Sequence, residues 1–362
     1  MTSYHRIGLG LSATLGALGL ASAALAAPGI ATGDTSKARI ALSNSYAGNS
    51  WRQQMLKTWE AATSQAIKDG IIAEATVVNA NNSAPEQAGH IQNMILEGYD
   101  AIVINAASPT ALNGVIEEAC NADIVVVVFD GIATAPCATK VSYDYVDMGK
   151  IEADYVAKRL DGKGNLLEIR GIAGVSVDGD ISKGIHETVA EHPDLKLVGS
   201  VHGNWTQTVA QKEVAGILPT LPKIDAVVTQ GGDGYGAAQA FKAAGRDIPI
   251  IIMGNRQDEM AWWKEQNTAN GYETISLSST PGVASIAFWT AQQLLAGKEG
   301  VPNFVEVPLL VFDEQQLDTW LKATPEGGVA TPVYSQKWTV DLIDANAEGG
   351  ELPKVPLPGE AM

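Results

Sequence analysis

The sequence predicts an α/β protein of two doubly wound parallel-sheet lobes joined by a three-strand hinge. Three observations carry this. Runs such as "AIVIN" (101–105) and "DIVVVVFD" (123–130) are apolar almost without interruption, as strands are when helices cover both faces of a parallel sheet. From residue 38 onward such runs alternate with helix-length segments, the βαβ rhythm. The rhythm breaks at "KVSYDY" (140–145) and then starts again, so two series of similar build follow one another.

In the first series, strands are expected near 39–44, 73–79, 100–105 and 124–129, with helices near 49–69, 84–98 and 110–121. In the second, strand "NLLEIRG" leads to a helix near 180–191 and strand "LKLVGSV" to a helix near 206–218. Strand "DAVVTQ" leads to a helix near 234–244, and strand "IPIIIMG" to one near 257–267. Strand "TISLSS" (274–279) and a helix at 282–296 close it. The chain is expected to cross between lobes at about 142, near 279 and near 308–311. This divides it into an N-terminal lobe (38–142 plus 280–309), a C-terminal lobe (143–279 plus 310–325) and a C-terminal extension (326–362). Several crossings make a hinge with a cleft between the lobes. Trp320, Tyr334 and Trp338 imply that much of the chain beyond 313 packs onto the body, while the last ten residues float.

The N-terminus reads as a secretory signal peptide over 1–26. His5 and Arg6 precede an apolar run from Ile7 to Leu20, and Ala24-Leu25-Ala26 fits the small-x-small cleavage rule. The apolar run is shorter than the ~20 residues a membrane span needs, and no Cys follows it to take a lipid. Cleavage near Ala26 would release the chain into the periplasm. Residues 27–37, "APGIATGDTSK", read as a flexible leader. The formal net charge is −17, which argues against nucleic-acid partners, because these reward clusters of Lys and Arg. In an exported protein, Cys120 and Cys137 are expected to pair, although two free thiols fit the same count. A monomer is expected.

The strand ends carry the chemistry, since open α/β sheets bind ligands there. The first supplies Ser45, Tyr46, Asn49, Trp51 and Arg52. The fourth supplies Asp130. "RGIAGVSVDGD" offers Asp178 and Asp180, and "VHGNWTQ" offers Trp205. "TQGGDGYG" brings Gln230 and Asp233, "IMGNRQD" brings Asn255 and Arg256, and "SLSSTP" brings Ser278 and Ser279. Aromatic faces stack on sugar C–H surfaces, and amides and carboxylates bind hydroxyls directionally. The set suits a neutral, hydroxyl-rich ligand. Asp130, Asn49 and Asp180 also fit simple helix caps, and both tryptophans also fit core positions.

The order of "RIALSNSYAGNSWR", "GYDAIVINAASPTAL", "IVVVVFDG", "LLEIRGIAGVS", "DAVVTQGGDGYGAAQAFKAAG" and "PIIIMGN" over residues 38–310 resembles the type I periplasmic sugar-binding proteins of the ribose-binding group. The resemblance implies a soluble receptor that closes two lobes over one sugar and hands it to the membrane permease of an ABC importer, without chemistry or cofactor. It places the family's contacts on Ser45, Asn49, Trp51, Arg52, Asp130, Trp205 and Asn255, and near Asp233. The sequence departs from the pattern at Ser279, where the family has a glutamine. It departs again after "GIAG", where an arginine is replaced by the Asp178–Asp180 stretch, and at Gly131, where the family has an arginine. Arg52 and Arg256 are expected to compensate, which implies a ligand other than ribose: another pentose, a hexose or a sugar alcohol.

Alternatives stay open. Arg52 and Asp130 fit an amino-acid receptor, and a furanosyl signalling molecule is a further ligand class. "GDGYGA" (232–237) fits a dinucleotide loop, but the expected acid at the end of the next strand is missing. There is no G-x-x-x-x-G-K-[ST] or G-x-S-x-G segment. The histidines at 90, 186, 192 and 202 lack paired ligand spacing, so no metal is expected. DNA-binding repressors share this core fold, but here a leader stands in place of their headpiece.

Overall fold

The structure, a computed structural model, describes residues 29–360. The expected signal peptide and its cleavage point lie outside them.

The first series comprises β1 (Arg39–Asn44), α1 (Ser50–Lys68), β2 (Glu74–Asn79), α2 (Ala84–Leu96), β3 (Ala101–Asn105), α3 (Asn113–Asn121), β4 (Val125–Phe129) and β5 (Thr139–Ser142). The second comprises α4 (Tyr145–Arg159), β6 (Lys163–Arg170), α5 (Ser176–Glu191), β7 (Asp194–His202), α6 (Gln207–Ile217), β8 (Ala226–Thr229), α7 (Gly234–Ala243), β9 (Ile250–Ile251), α8 (Gln257–Asn270) and β10 (Ser276–Ser278). The chain then forms α9 (Val283–Leu295), β11 (Phe304–Glu306), β12 (Leu310–Phe312), α10 (Glu314–Ala323) and α11 (Gln336–Glu348).

Two lobes result. The first holds a six-stranded sheet in the order β11-β5-β4-β3-β1-β2, parallel throughout. Every residue of β3 is buried, as its unbroken apolar run requires. The second holds the parallel sheet β7-β6-β8-β9, which Met253 links to Ser276 at the start of the antiparallel β10–β12 pair. Strand "IPIIIMG" is shorter than expected, with only Ile250–Ile251 in regular pairing. Among the described residues no helix is long and apolar enough to cross a membrane.

Three helices, α4, α10 and α11, have no counterpart in the sequence reading, and α4 is the one that reaches the cavity between the lobes. α4 buries Tyr145, Met148, Gly149, Glu152, Ala153, Val156 and Ala157. Its face is small and partly acidic because it packs closely on α5. A Cβ at Gly149 would lie 2.1 Å from the Ile181 carbonyl, and one at Gly184 would lie 2.0 Å from that of Val146. Glycines that allow such an approach dilute the apolar stripe by which helices are recognised.

The ends of the chain are tied down more than expected. In the leader, Gly33 N donates to Ala296 O at 3.1 Å, Ala31 N to Gln293 at 2.8 Å and Lys298 Nζ to Gly29 O at 2.9 Å. These bonds to α9 and its end hold a segment that its composition alone marks as mobile. The extension returns to the first lobe, where Trp338, Leu342 and Ile343 of α11 share a core with Phe288 and Trp289 of α9. The last segment, expected to float, instead lays Val355 and Leu357 on a second-lobe cluster of Met260, Trp263, Phe312 and Trp320. The chain therefore passes between lobes twice more than the three crossings expected, at 324–335 and after 348. Cys120 and Cys137 are joined, with 6.4 Å between their Cα atoms, which ties α3 to the loop after Asp130.

Candidate functional site

The first wall is built where β1 ends and α1 begins. Asn49 caps α1, its side chain accepting from Arg52 N at 2.8 Å, as exposed N-terminal amides favour. The cap turns Trp51 and Arg52 toward the gap between the lobes. Trp51 Nε1 donates to the Ser279 carbonyl at 3.1 Å, and the Arg52 guanidinium lies 5.3 Å from the Trp51 ring centroid. Arg52 also bonds Asn44 Oδ1 at 3.4 Å and stands 3.4 Å from Asp130 Oδ2. Burial pushes its pKa down, and Asp130 opposes that shift.

Asp130 follows β4 with φ +56°, a left-handed conformation that Asp tolerates. Its carboxylate accepts from Asn105 Nδ2 at 2.9 Å and from the Tyr145 hydroxyl at 2.5 Å. Burial and the adjacent Asp130 raise the Tyr145 pKa well above its ordinary value, so the phenol remains a donor at neutral pH.

The second wall rises from the ends of β6, β7, β8 and β9. Asn204 and Trp205 are consecutive left-handed residues, with φ +55° and +51°. The Trp205 ring lies on Gly171, where a Cβ would stand 2.2 Å from ring carbons. Arg256 is buried. It donates to the Trp205 carbonyl at 2.6 Å and also to the Gly232 carbonyl. Gln230 spends both ends of its amide, on Gly171 N and the Asp178 carbonyl. Asn255 Nδ2 donates to Ala330 O at 2.7 Å, which leaves its Oδ1 free.

These walls enclose one cavity of about 560 Å³, counting space open to solvent. Of the residues the sequence singled out, Asn49, Trp51, Arg52, Asp130, Trp205, Gln230, Asn255, Arg256, Ser278 and Ser279 line it. Tyr145 and Val177 line it as well. Gln230 and Ser278 are visible as strand-end polar residues. Tyr145 opens α4, which the sequence reading missed, and Val177 follows an unrecognised helix start. The Ser278 hydroxyl is buried without a partner.

Five of the singled-out residues stand elsewhere. Ser45 is buried against Asn105 at 3.4 Å, and the Tyr46 phenol covers Gly48. Asp178 falls in the first turn of α5, which starts earlier than expected. There it is gripped by Arg170 at 2.7 and 3.1 Å. Asp180 faces a separate hollow beside the hinge, with Asp144 and Glu306. Asp233 lies behind the cavity, fully buried, and neither of its carboxylate oxygens has a partner. Burial pushes its pKa up to about 7 against the pull of Arg256.

The "GDGYGA" turn is not open to a pyrophosphate. The amide of Gly234, at the start of α7, donates to Glu259 Oε1 at 2.9 Å, so a carboxylate already occupies the place a phosphate would take. Among the described residues no group of three or more His, Cys, Asp or Glu could hold a metal ion.

With this geometry in view, the comparisons with known proteins are specific. The chain is 33% identical over 184 residues to a xylitol-binding protein of Mycolicibacterium smegmatis, a match over 50% of this chain and 53% of that one. The chain thus spans about half the length of that relative. It is 25% identical over 254 residues to the ribose import binding protein of Bacillus subtilis, covering 67% of this chain and 81% of that one. The crystal structure of an ABC transporter solute binding protein from Thermobispora bispora superposes with a TM-score of 0.83 at 38% identity, covering 89% of this chain and 99% of that one. A family model described as "Periplasmic binding protein domain" matches residues 40–299. That is more than half of the chain, which therefore belongs to this family, as its motif order implies.

Proposed function

We propose, from that membership, that the chain captures a neutral sugar or sugar alcohol in the periplasm and delivers it to the membrane permease of an ABC importer. It works as a monomeric receptor, and capture involves no chemical step. The ligand lies between Trp51 and Trp205, with its hydroxyls on Asp130, the Asn49 amide, Asn255 Oδ1 and the Ser278 hydroxyl. Residues of both lobes contact it, so ligand favours the closed arrangement by the binding energy that only closure provides.

One observation carries the choice of a neutral ligand. Both cavity guanidiniums are already committed, Arg52 to Asn44 and Asp130 and Arg256 to two backbone carbonyls. A carboxylate or phosphate is commonly gripped by a guanidinium fork in bidentate fashion, and both terminal nitrogens of each arginine already face partners within the protein. This favours a sugar or polyol over an amino acid. The relatives named for xylitol and ribose support the same class.

A thermal-shift screen of the chain against pentoses, hexoses, polyols, amino acids and nucleotides tests the proposal. A ligand at a hundred times its Kd stabilises by about 2.7 kcal/mol, enough to raise Tm by a few degrees. Shifts confined to sugars or polyols support the reading. Shifts confined to amino acids or nucleotides overturn it.

A further inference from the structure

The family match ends at residue 299, yet the chain beyond it reaches the floor of the cavity. Residues 324–335 leave α10 and run beside the β9–α8 turn. Gln257 N donates to Gly328 O at 3.0 Å and Ala330 N to Asn255 O at 2.8 Å. Val329 pairs with Arg256 in an antiparallel bridge. Asn255 Nδ2 returns a bond to Ala330 O at 2.7 Å. Asn255 and Arg256 both line the cavity. An asparagine can present either a donor or an acceptor, and here Ala330 takes the donor.

The same segment is tied to the hinge. Thr331 Oγ1 accepts from Gly282 N at 2.7 Å, and Ser285 Oγ accepts from Tyr334 N at 3.0 Å. The Tyr334 hydroxyl stands 3.3 Å from Thr280 Oγ1, which stands 3.1 Å from the Tyr143 hydroxyl. Tyr143, Thr280 and Tyr334 belong to three different crossings, and all three are buried.

We propose that residues 328–334 are a positioning element of the ligand site. They hold Asn255 as a fixed acceptor, hold the backbone of Arg256 in place, and join both to the hinge. None of them needs to touch ligand. Resting on the binding function proposed above, the element selects ligands with a hydroxyl that donates toward Asn255 Oδ1.

Thr331→Val and Tyr334→Phe each remove one hydroxyl tie and keep the shape, and Thr331→Ser restores the tie at 331. Calorimetric titration of the full chain with xylitol and D-ribose gives affinity. Hydrogen exchange at Ala330 and Gln257 in the ligand-free protein shows whether the segment is held. Thr331→Val is expected to bind at least tenfold more weakly, with faster exchange at Ala330 and Tm within a few degrees of wild type. Thr331→Ser should bind within about twofold of wild type. Faster exchange with unchanged affinity in both variants would overturn the positioning role. Should Thr331→Val fail to fold, Tyr334→Phe carries the same comparison. If wild type binds no neutral sugar or polyol, the function reading fails and the ligand role with it. In that case unchanged exchange in both variants would also refute the tie to the hinge.

Discussion

The Tyr145 hydroxyl donates to Oδ1 of Asp130, joining the first residue of a second-lobe helix to the residue after a first-lobe strand. The site's acceptor is therefore oriented from both lobes: by Asn105 and Arg52 on one side and by Tyr145 on the other. In the proposed site, ligand binding at Asp130 would be coupled to lobe geometry through this bond.

Tyr145→Phe removes that donor while keeping the ring. Loss of a hydrogen bond to a charged acceptor costs about 1.5–3 kcal/mol, so ligand affinity should fall tenfold or more. Asp130→Ala should weaken binding by well over tenfold with the circular dichroism of the folded protein retained. Titration of both variants checks this, and near-native affinity in Asp130→Ala would remove Asp130 from the site.

Gly171→Ala tests the placement of Trp205 without touching the tryptophan. The added methyl would occupy the position of the indole ring, 2.2 Å from its carbons. Affinity should fall at least tenfold, by an amount close to that of Trp205→Ala. If Gly171→Ala binds normally while Trp205→Ala does not, the ring does not need its seat on Gly171.

The pH dependence of stability should carry the mark of Asp233. Its pKa is pushed up to about 7 in the folded chain, from 3.8. The folded state thus holds a proton that the unfolded state releases. Stability from this group is complete below pH ~4 and is lost as pH rises through ~7, a total of about 4 kcal/mol. Burial raises Glu259 and Glu152 in the same direction. Tm should therefore decline between about pH 4 and 7, and Asp233→Asn should flatten the decline. A variant profile parallel to wild type would contradict this.

Reduction of the Cys120–Cys137 bond should destabilise the chain by about 3 kcal/mol in the chain-entropy account. The pair Cys120→Ser with Cys137→Ser should match the reduced protein in Tm. A reductant that leaves the wild-type Tm unchanged would show that the bridge contributes nothing.

Local features made the first wall legible. Trp51 and Arg52 follow a capping Asn at the end of an apolar strand, and each signal lies within ten residues of the next. Asp178 was misplaced because α5 starts without a side-chain cap, after Val175, so nothing local marks its first turn. Tyr145 was missed because α4 packs through glycine and a buried acid, which hides its periodicity. The run from Gly328 to Tyr334 was beyond reach for another reason. Its contacts with Asn255, Gly282 and Ser285 span 49 to 75 residues, and no local pattern records such pairings. The alternation of strands and helices survived these gaps because the buried strands are apolar on both faces.

The most direct test of the account is a calorimetric titration of the chain with a neutral polyol and with the carboxylate made by oxidising its terminal carbon, xylitol beside xylonate. Two arginines already committed within the protein predict that the neutral compound binds at least tenfold more tightly. Equal or tighter binding of the carboxylate would contradict the account, for it would mean that Arg52 or Arg256 leaves its present partners to grip an anion.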